Sequence, residues 1–113
     1  MKKKYRVCKN EEFSSIIQHH TFVKSSSFVA YYKKRKENHA RIGISVGKKL
    51  GNAVVRNKVK RQVRSMADSL FSFEEGYDLI LIVRPMYLKA DYASNTEQLA
   101  QLKKKIDELR VKS

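Results

Sequence analysis

Apolar and polar positions recur along this chain with two different periods, and the switches between them mark out its elements. In NEEFSSIIQHH, Phe13, Ile16 and Ile17 stand at helical spacing behind Glu11 and Glu12, which predicts a short helix capped by Asn10. TFVKS is brief and fits an edge strand. FVAYYKKRK has the β-branched and aromatic content of a strand, with Phe28, Ala30 and Tyr32 on one side and Val29, Tyr31 and Lys33 on the other. After the turn KENH, ARIGISVG alternates: Ile42, Ile44 and Val46 share one face, and Arg41, Gly43, Ser45 and Gly47 the other. GYDLILIVRP is a nearly continuous apolar run, as expected of a central strand covered on both faces and ended by Arg84 and Pro85. SNTEQLAQLKKKIDELRVKS offers a capping box from Ser94 to Glu97 and then Leu99, Leu102, Ile106 and Leu109 at helical spacing.

Between the last two strands lies KKLGNAVVRNKVKRQVRSM. With Asn52 as N-cap and an advance of about 100° per residue, Val55, Val59, Val63, Met66, Ala67 and Leu70 fall within one arc of about 120°, the width of a core-facing stripe. The element order is α-β-β-β-α-β-α, an α+β fold in which residues 1–113 form a single domain around a small mixed sheet. The basic residues 1–9 ahead of the first helix are expected to form a flexible tail.

The face holding Gly43 and Ser45 is polar, small and nearly bare. It is either the solvent side of an antiparallel sheet or a floor that a ligand's backbone can approach closely, beside Tyr31 and Lys33.

Charge adds a partner to this picture. The 25 Lys and Arg against 11 Asp and Glu give +14, far more than solubility requires. The excess is segregated: between Glu12 and Asp68 the only acid is Glu37. One contiguous polyanion-binding surface is expected. Cys8 is alone and is given no chemical role, and no run approaches the roughly 18 apolar residues of a membrane span, so a cytoplasmic protein with no membrane partner is expected.

Arg56, Asn57, Lys60, Arg61 and Arg64 form a second ridge beside the apolar stripe, with Lys58 off it. A merely solvated face normally mixes signs, because like charges four residues apart cost roughly 0.2–0.5 kcal/mol per pair. Here Arg56, Lys60 and Arg64 line up unrelieved, so an anion is expected to offset them. Lys48 and Lys49 beside Gly51 lead into the helix N-terminus, where free N–H groups favour phosphate. DNA fits less well, since no helix-turn-helix pair or dimerisation segment surrounds the ridge. Single-stranded RNA needs charge together with rings for stacking. Phe13, Phe28, Tyr31 and Tyr32 supply rings, and among these four only Tyr31 shares the open face. His19, His20 and His39 lack Cys or carboxylate partners at metal-ligand spacing, so no catalytic residue and no protein-bound metal are assigned.

The run KKLGNAVVRNKVKRQVR resembles the signature of the bacterial ribonuclease P protein component, and the resemblance extends through NEEFSSII, FVAYY, RIGISVGKK and YDLILIVRP. It implies a small α+β subunit that binds a large catalytic RNA and precursor tRNA, is monomeric in isolation, and assists RNA-catalysed endonucleolytic hydrolysis that removes the 5′ leader. In that family the RNA holds the magnesium ions and performs the chemistry, and the protein binds no cofactor tightly. Carried over, Lys48, Lys49, Asn52, Arg56, Asn57, Lys60, Arg61 and Arg64 would bind the catalytic RNA. Phe13, Ile17, Tyr31, Lys33, Ser45 and Arg84 would bind the leader. The chain departs from the family pattern at Ile17, where an aromatic is common, at Lys58, which replaces an Arg, and at Gly47, where Ser is usual. The resemblance also implies a left-handed crossover through the basic helix, whereas such connections are right-handed in about 98% of cases.

Overall fold

A computed structural model describes residues 5–7 and 9–111. The elements are α1 (Asn10–Gln18), β1 (Phe22–Lys24), β2 (Phe28–Lys34), β3 (Ile42–Val46), α2 (Ala53–Leu70), β4 (Tyr77–Val83) and α3 (Tyr92–Val111). This is the order expected from the sequence. Short 3-10 turns at Lys48–Leu50 and Pro85–Lys89 precede α2 and α3. Neither was foreseen, because one turn of helix leaves no periodic signal.

The strands form one mixed sheet in the order β1-β2-β4-β3. The apolar run of β4 is explained by its central place, antiparallel to β2 and parallel to β3. Parallel neighbours require a crossover, which α2 supplies. On one face of the sheet, Phe28, Ala30, Tyr32, Leu79, Leu81 and Val83 pack against Val59, Val63 and Met66 of α2 and Leu99, Leu102 and Ile106 of α3. On the other face a smaller core joins Ile16, Val7 and Ile80, with Phe13, Ile17, Tyr31 and Ile82 only partly covered.

Several local expectations change. Lys9, not Asn10, occupies the N-cap of α1, and no side chain caps that end. α3 begins two residues before Ser94: Asp91 is the acceptor, taking the Ser94 N–H at 2.7 Å. That hydrogen bond holds the Asp91 carboxyl below the ordinary aspartate value. Leu109, expected in the buried stripe, is exposed in the last turn of α3, whereas Asn95 lies buried on that stripe one turn before Leu99. Asn95 accepts from the Ser27 hydroxyl at 2.6 Å and donates to the Tyr87 carbonyl at 3.1 Å, tying α3 to the β1–β2 turn. Of the segment expected as a tail, Tyr5 stacks on Phe73, Arg6 bridges to Ile42 and Val7 is buried. Residues 1–4 and Cys8 lie outside the described residues.

Arg41, expected on the bare face of β3, is buried. Its guanidinium pairs with Glu12 of α1 and, at 3.2 Å, with Asp78 of β4. Burial disfavours its charge, but the hydrogen bonds to the two carboxylates outweigh that cost and raise its pKa above the ordinary arginine value. This pair of contacts fixes α1 over the sheet.

Candidate nucleic-acid interface

The start of α2 is built by three residues acting locally. Gly51 has φ +135°, a conformation that favours glycine, and a Cβ there would meet the Val55 side chain at 3.2 Å. Asn52 follows as N-cap, its side-chain oxygen accepting the Val55 N–H at 3.1 Å. Lys48 and Lys49 are exposed on the preceding turn. The carboxamide oxygen of Asn52 is therefore engaged within the protein, while the two lysines stand free to meet a ligand.

Val59, Val63, Met66 and Ala67 are buried on the underside of α2, with Val55 and Leu70 packed at its ends. The stripe expected from the sequence is thus the one observed. On the other side, Asn57 and Arg61 are exposed and Arg56, Lys60 and Arg64 are half-buried, their aliphatic stems lying along the helix. Among the described residues these four cations form no ion pair; the ion pairs involve Arg41 and Lys103. The Nε of Arg56 is buried without an acceptor.

The bare face of β3 is divided in two by α1. At Gly43 the space is filled from within: a Cβ would lie 2.7 Å from both the Phe13 ring and Ile80. The small residue admits the protein's own helix and not a ligand. Further along the strand the floor is open. Ser45 is level with Ile82 of β4 and Val29 of β2, all half-buried. Asn10, Phe13 and Ser14 of α1 form one wall of this groove and Lys60 of α2 closes its end, with Ser45 on the floor. None of the lining residues is acidic.

Ile17 and Tyr31 share the smaller core with Phe13, both partly buried against Ile16 and Ile80 on this face of the sheet. Tyr31 carries a second ring on its flank: Phe22, its register partner on β1, lies with ring centroids 5.2 Å apart. Phe22 was not among the residues singled out in the sequence. Counting back across the turn between TFVKS and FVAYY would have paired it with Tyr31. Phe28 and Tyr32, also considered as stacking rings, are core residues.

Two expected leader residues sit elsewhere. Lys33 donates to the Ser15 hydroxyl at 2.9 Å, in a pocket with Glu12, Arg41 and Asp78, away from Ser45. Arg84 is exposed but donates to the Ser25 carbonyl at 2.9 Å, at the turn after β1. Around Gly47 a Cβ would meet nothing within 4 Å, so the position accepts Gly or Ser. His19 caps the C-terminus of α1 and His20 follows at φ 58°. Among the described residues no group of His, Cys, Asp and Glu is arranged to hold a metal ion, and no helix is long and apolar enough to cross a membrane.

Comparison with known proteins gives this arrangement a family. The model of the Ribonuclease P family matches residues 1–107. The Ribonuclease P protein component of Mesoplasma florum is 43% identical over 104 residues, covering 90% of this chain and 94% of its own. That of Mycoplasma capricolum is 45% identical over 109 residues, covering 94% and 99%. Among solved structures, a mutant of the Staphylococcus aureus RNase P protein with defective mRNA degradation activity superposes with a TM-score of 0.84 at 37% identity, over 93% of this chain and 90% of that one. The RNase P protein from Thermotoga maritima gives 0.73 at 27% identity, over 86% and 93%. The basic ridge and the groove beside it are therefore features of a chain that belongs to the bacterial ribonuclease P protein family.

Proposed function

We propose that this chain is the protein subunit of a ribonucleoprotein enzyme in which α2 binds the catalytic RNA and the groove between α1 and β3 binds the 5′ leader of precursor tRNA. The observation that carries the reading is the meeting of the two surfaces at Lys60, which belongs to the cationic ridge and also closes the groove. A strand leaving the groove at that end passes directly onto the ridge.

The division of labour follows from the chemistry of each surface. Arg56, Arg61 and Arg64 offer planar forks to phosphate oxygens and Lys60 a point charge, on a helix whose buried valines hold it rigid. The groove offers a small hydroxyl floor at Ser45 and the sides of Phe13, Ile17 and Tyr31, suited to an extended single strand held by its backbone and by stacking on Tyr31. Ile17 provides apolar contact in place of a ring. Arg84 stabilises the turn behind the groove. The RNA supplies the magnesium ions and the hydrolysis, and the protein positions the substrate.

The test is reconstitution at low magnesium with precursor tRNA and the protein alone, the catalytic RNA alone, and both. Cleavage at the mature 5′ end is expected only with both. Cleavage by the protein alone would show a stand-alone nuclease, and cleavage by the RNA alone at the full rate would remove the need for this subunit.

A further inference from the structure

The groove does not end at Tyr31. The row of the sheet holding Ser45, Ile82 and Val29 continues onto β1 at Lys24, and the adjacent row holding Gly43, Ile80 and Tyr31 continues at Phe22. Within β1 only Val23 points into the main core; Phe22 and Lys24 are on the face shared with the groove. Phe22 is 43% exposed although its ring leans on Tyr31 at an interplanar angle of 43°. An exposed ring on a sheet edge is a liability for edge-to-edge association. A cross-strand pair with Tyr31 accounts for part of its presence, but such a pair would be served as well by an aliphatic side chain.

We infer that Phe22 and Lys24 form a base-stacking subsite, with a cation for the adjoining phosphate, that extends the groove to the edge of the sheet. The ligand is one unpaired nucleotide of the leader, so the inference rests on the function proposed above. Lys60 marks the end of the groove facing the catalytic RNA. Phe22, on β1, lies at the opposite end, three strand spacings of about 4.8 Å from β3, or about 14 Å. The nucleotide it takes is therefore farther from the cleavage site than the one at Tyr31. Anchoring by Val23 and the tie from Arg84 to the Ser25 carbonyl hold β1 in place before the ligand arrives. The ring is thus already oriented for stacking.

The experiment uses the holoenzyme reconstituted with its catalytic RNA and a set of precursor tRNAs carrying a single abasic nucleotide at successive leader positions. For the unmodified protein, binding should weaken at the leader position that reaches Phe22. Phe22→Leu should weaken binding of the intact precursor about five- to twentyfold, the lower part of the range for base–aromatic stacking, and should abolish sensitivity to the abasic nucleotide at that position. Phe22→Trp should retain both affinity and sensitivity, and affinity for mature tRNA should be the same in all three proteins. An abasic profile unchanged by Phe22→Leu, or equal losses for precursor and mature tRNA, would overturn the subsite. Tyr31→Ala separates the two readings. If it alone removes the preference for precursor, the groove stands and the Phe22 subsite fails; if neither variant changes that preference, leader binding in the groove fails as well.

Discussion

Arg41 and Arg64 come from the same acid-poor part of the sequence, and nothing in their immediate neighbours separates them. Arg41 is buried between Glu12 and Asp78, its charge matched inside the fold. Arg64 stands on the ridge of α2 with Arg56, Lys60 and Arg61, none of which has a carboxylate partner among the described residues. One cation closes the structure and the others leave it open to an anion. Charge count therefore identifies a basic protein, while the location of the few carboxylates decides which cations remain available to an anionic partner.

The largest effect expected from this contrast is on stability. Arg41→Ala leaves the Asp78 charge buried without its guanidinium partner, with only the backbone N–H of residue 41 still donating to it, and should cost about 3 kcal/mol, read as a lowered denaturation midpoint, with RNA affinity per folded molecule preserved. A stable Arg41→Ala protein that fails to bind RNA would reverse the assignment. Asn52→Ala should cost about 1 kcal/mol by removing the cap of the ridge helix. Glu12→Gln removes the more exposed of the two carboxylates facing Arg41 and should cost up to about 1 kcal/mol, since Asp78 remains.

The smallest effect concerns pH. The Asp91 carboxyl is held below its ordinary value because it caps α3, so the stability it contributes is present above the unfolded value of about 3.9 and disappears as pH falls through the lower folded value. Asp91→Asn keeps a capping oxygen and should flatten that acid limb slightly in thermal denaturation followed from pH 5 downward, leaving neutral-pH stability nearly unchanged. A steeper acid limb in the variant would contradict the sign.

Long periodic segments were legible in the sequence for a physical reason. The stripe from Val55 to Leu70 and the run from Tyr77 to Val83 each bury many side chains in register, so their pattern survives any detail of the surroundings. Caps were less legible: several polar residues near α1 and α3 fit the capping preference, and the helices start after Lys9 and Asp91 instead of after Asn10 and Ser94. The face of β3 was legible only in part. Gly43 and Ser45 look alike in an alternating pattern, but α1 crosses the first and leaves the second open. Lys33 reads as an available cation, and Arg41 as part of the bare face, because their partners, Ser15, Glu12 and Asp78, are distant in sequence. The ridge on α2 was legible because its spacing is local.

The central claim, that the ridge is left unpaired for RNA, is tested most directly by the salt dependence of binding to the catalytic RNA. For the unmodified protein the logarithm of affinity should fall linearly with the logarithm of salt concentration. Arg61→Ala with Arg64→Ala should make that slope shallower by about 0.7–0.9 for each phosphate the variant no longer neutralises, with the thermal midpoint unchanged. An identical slope in the double variant, or a slope that changes only together with the midpoint, would contradict it.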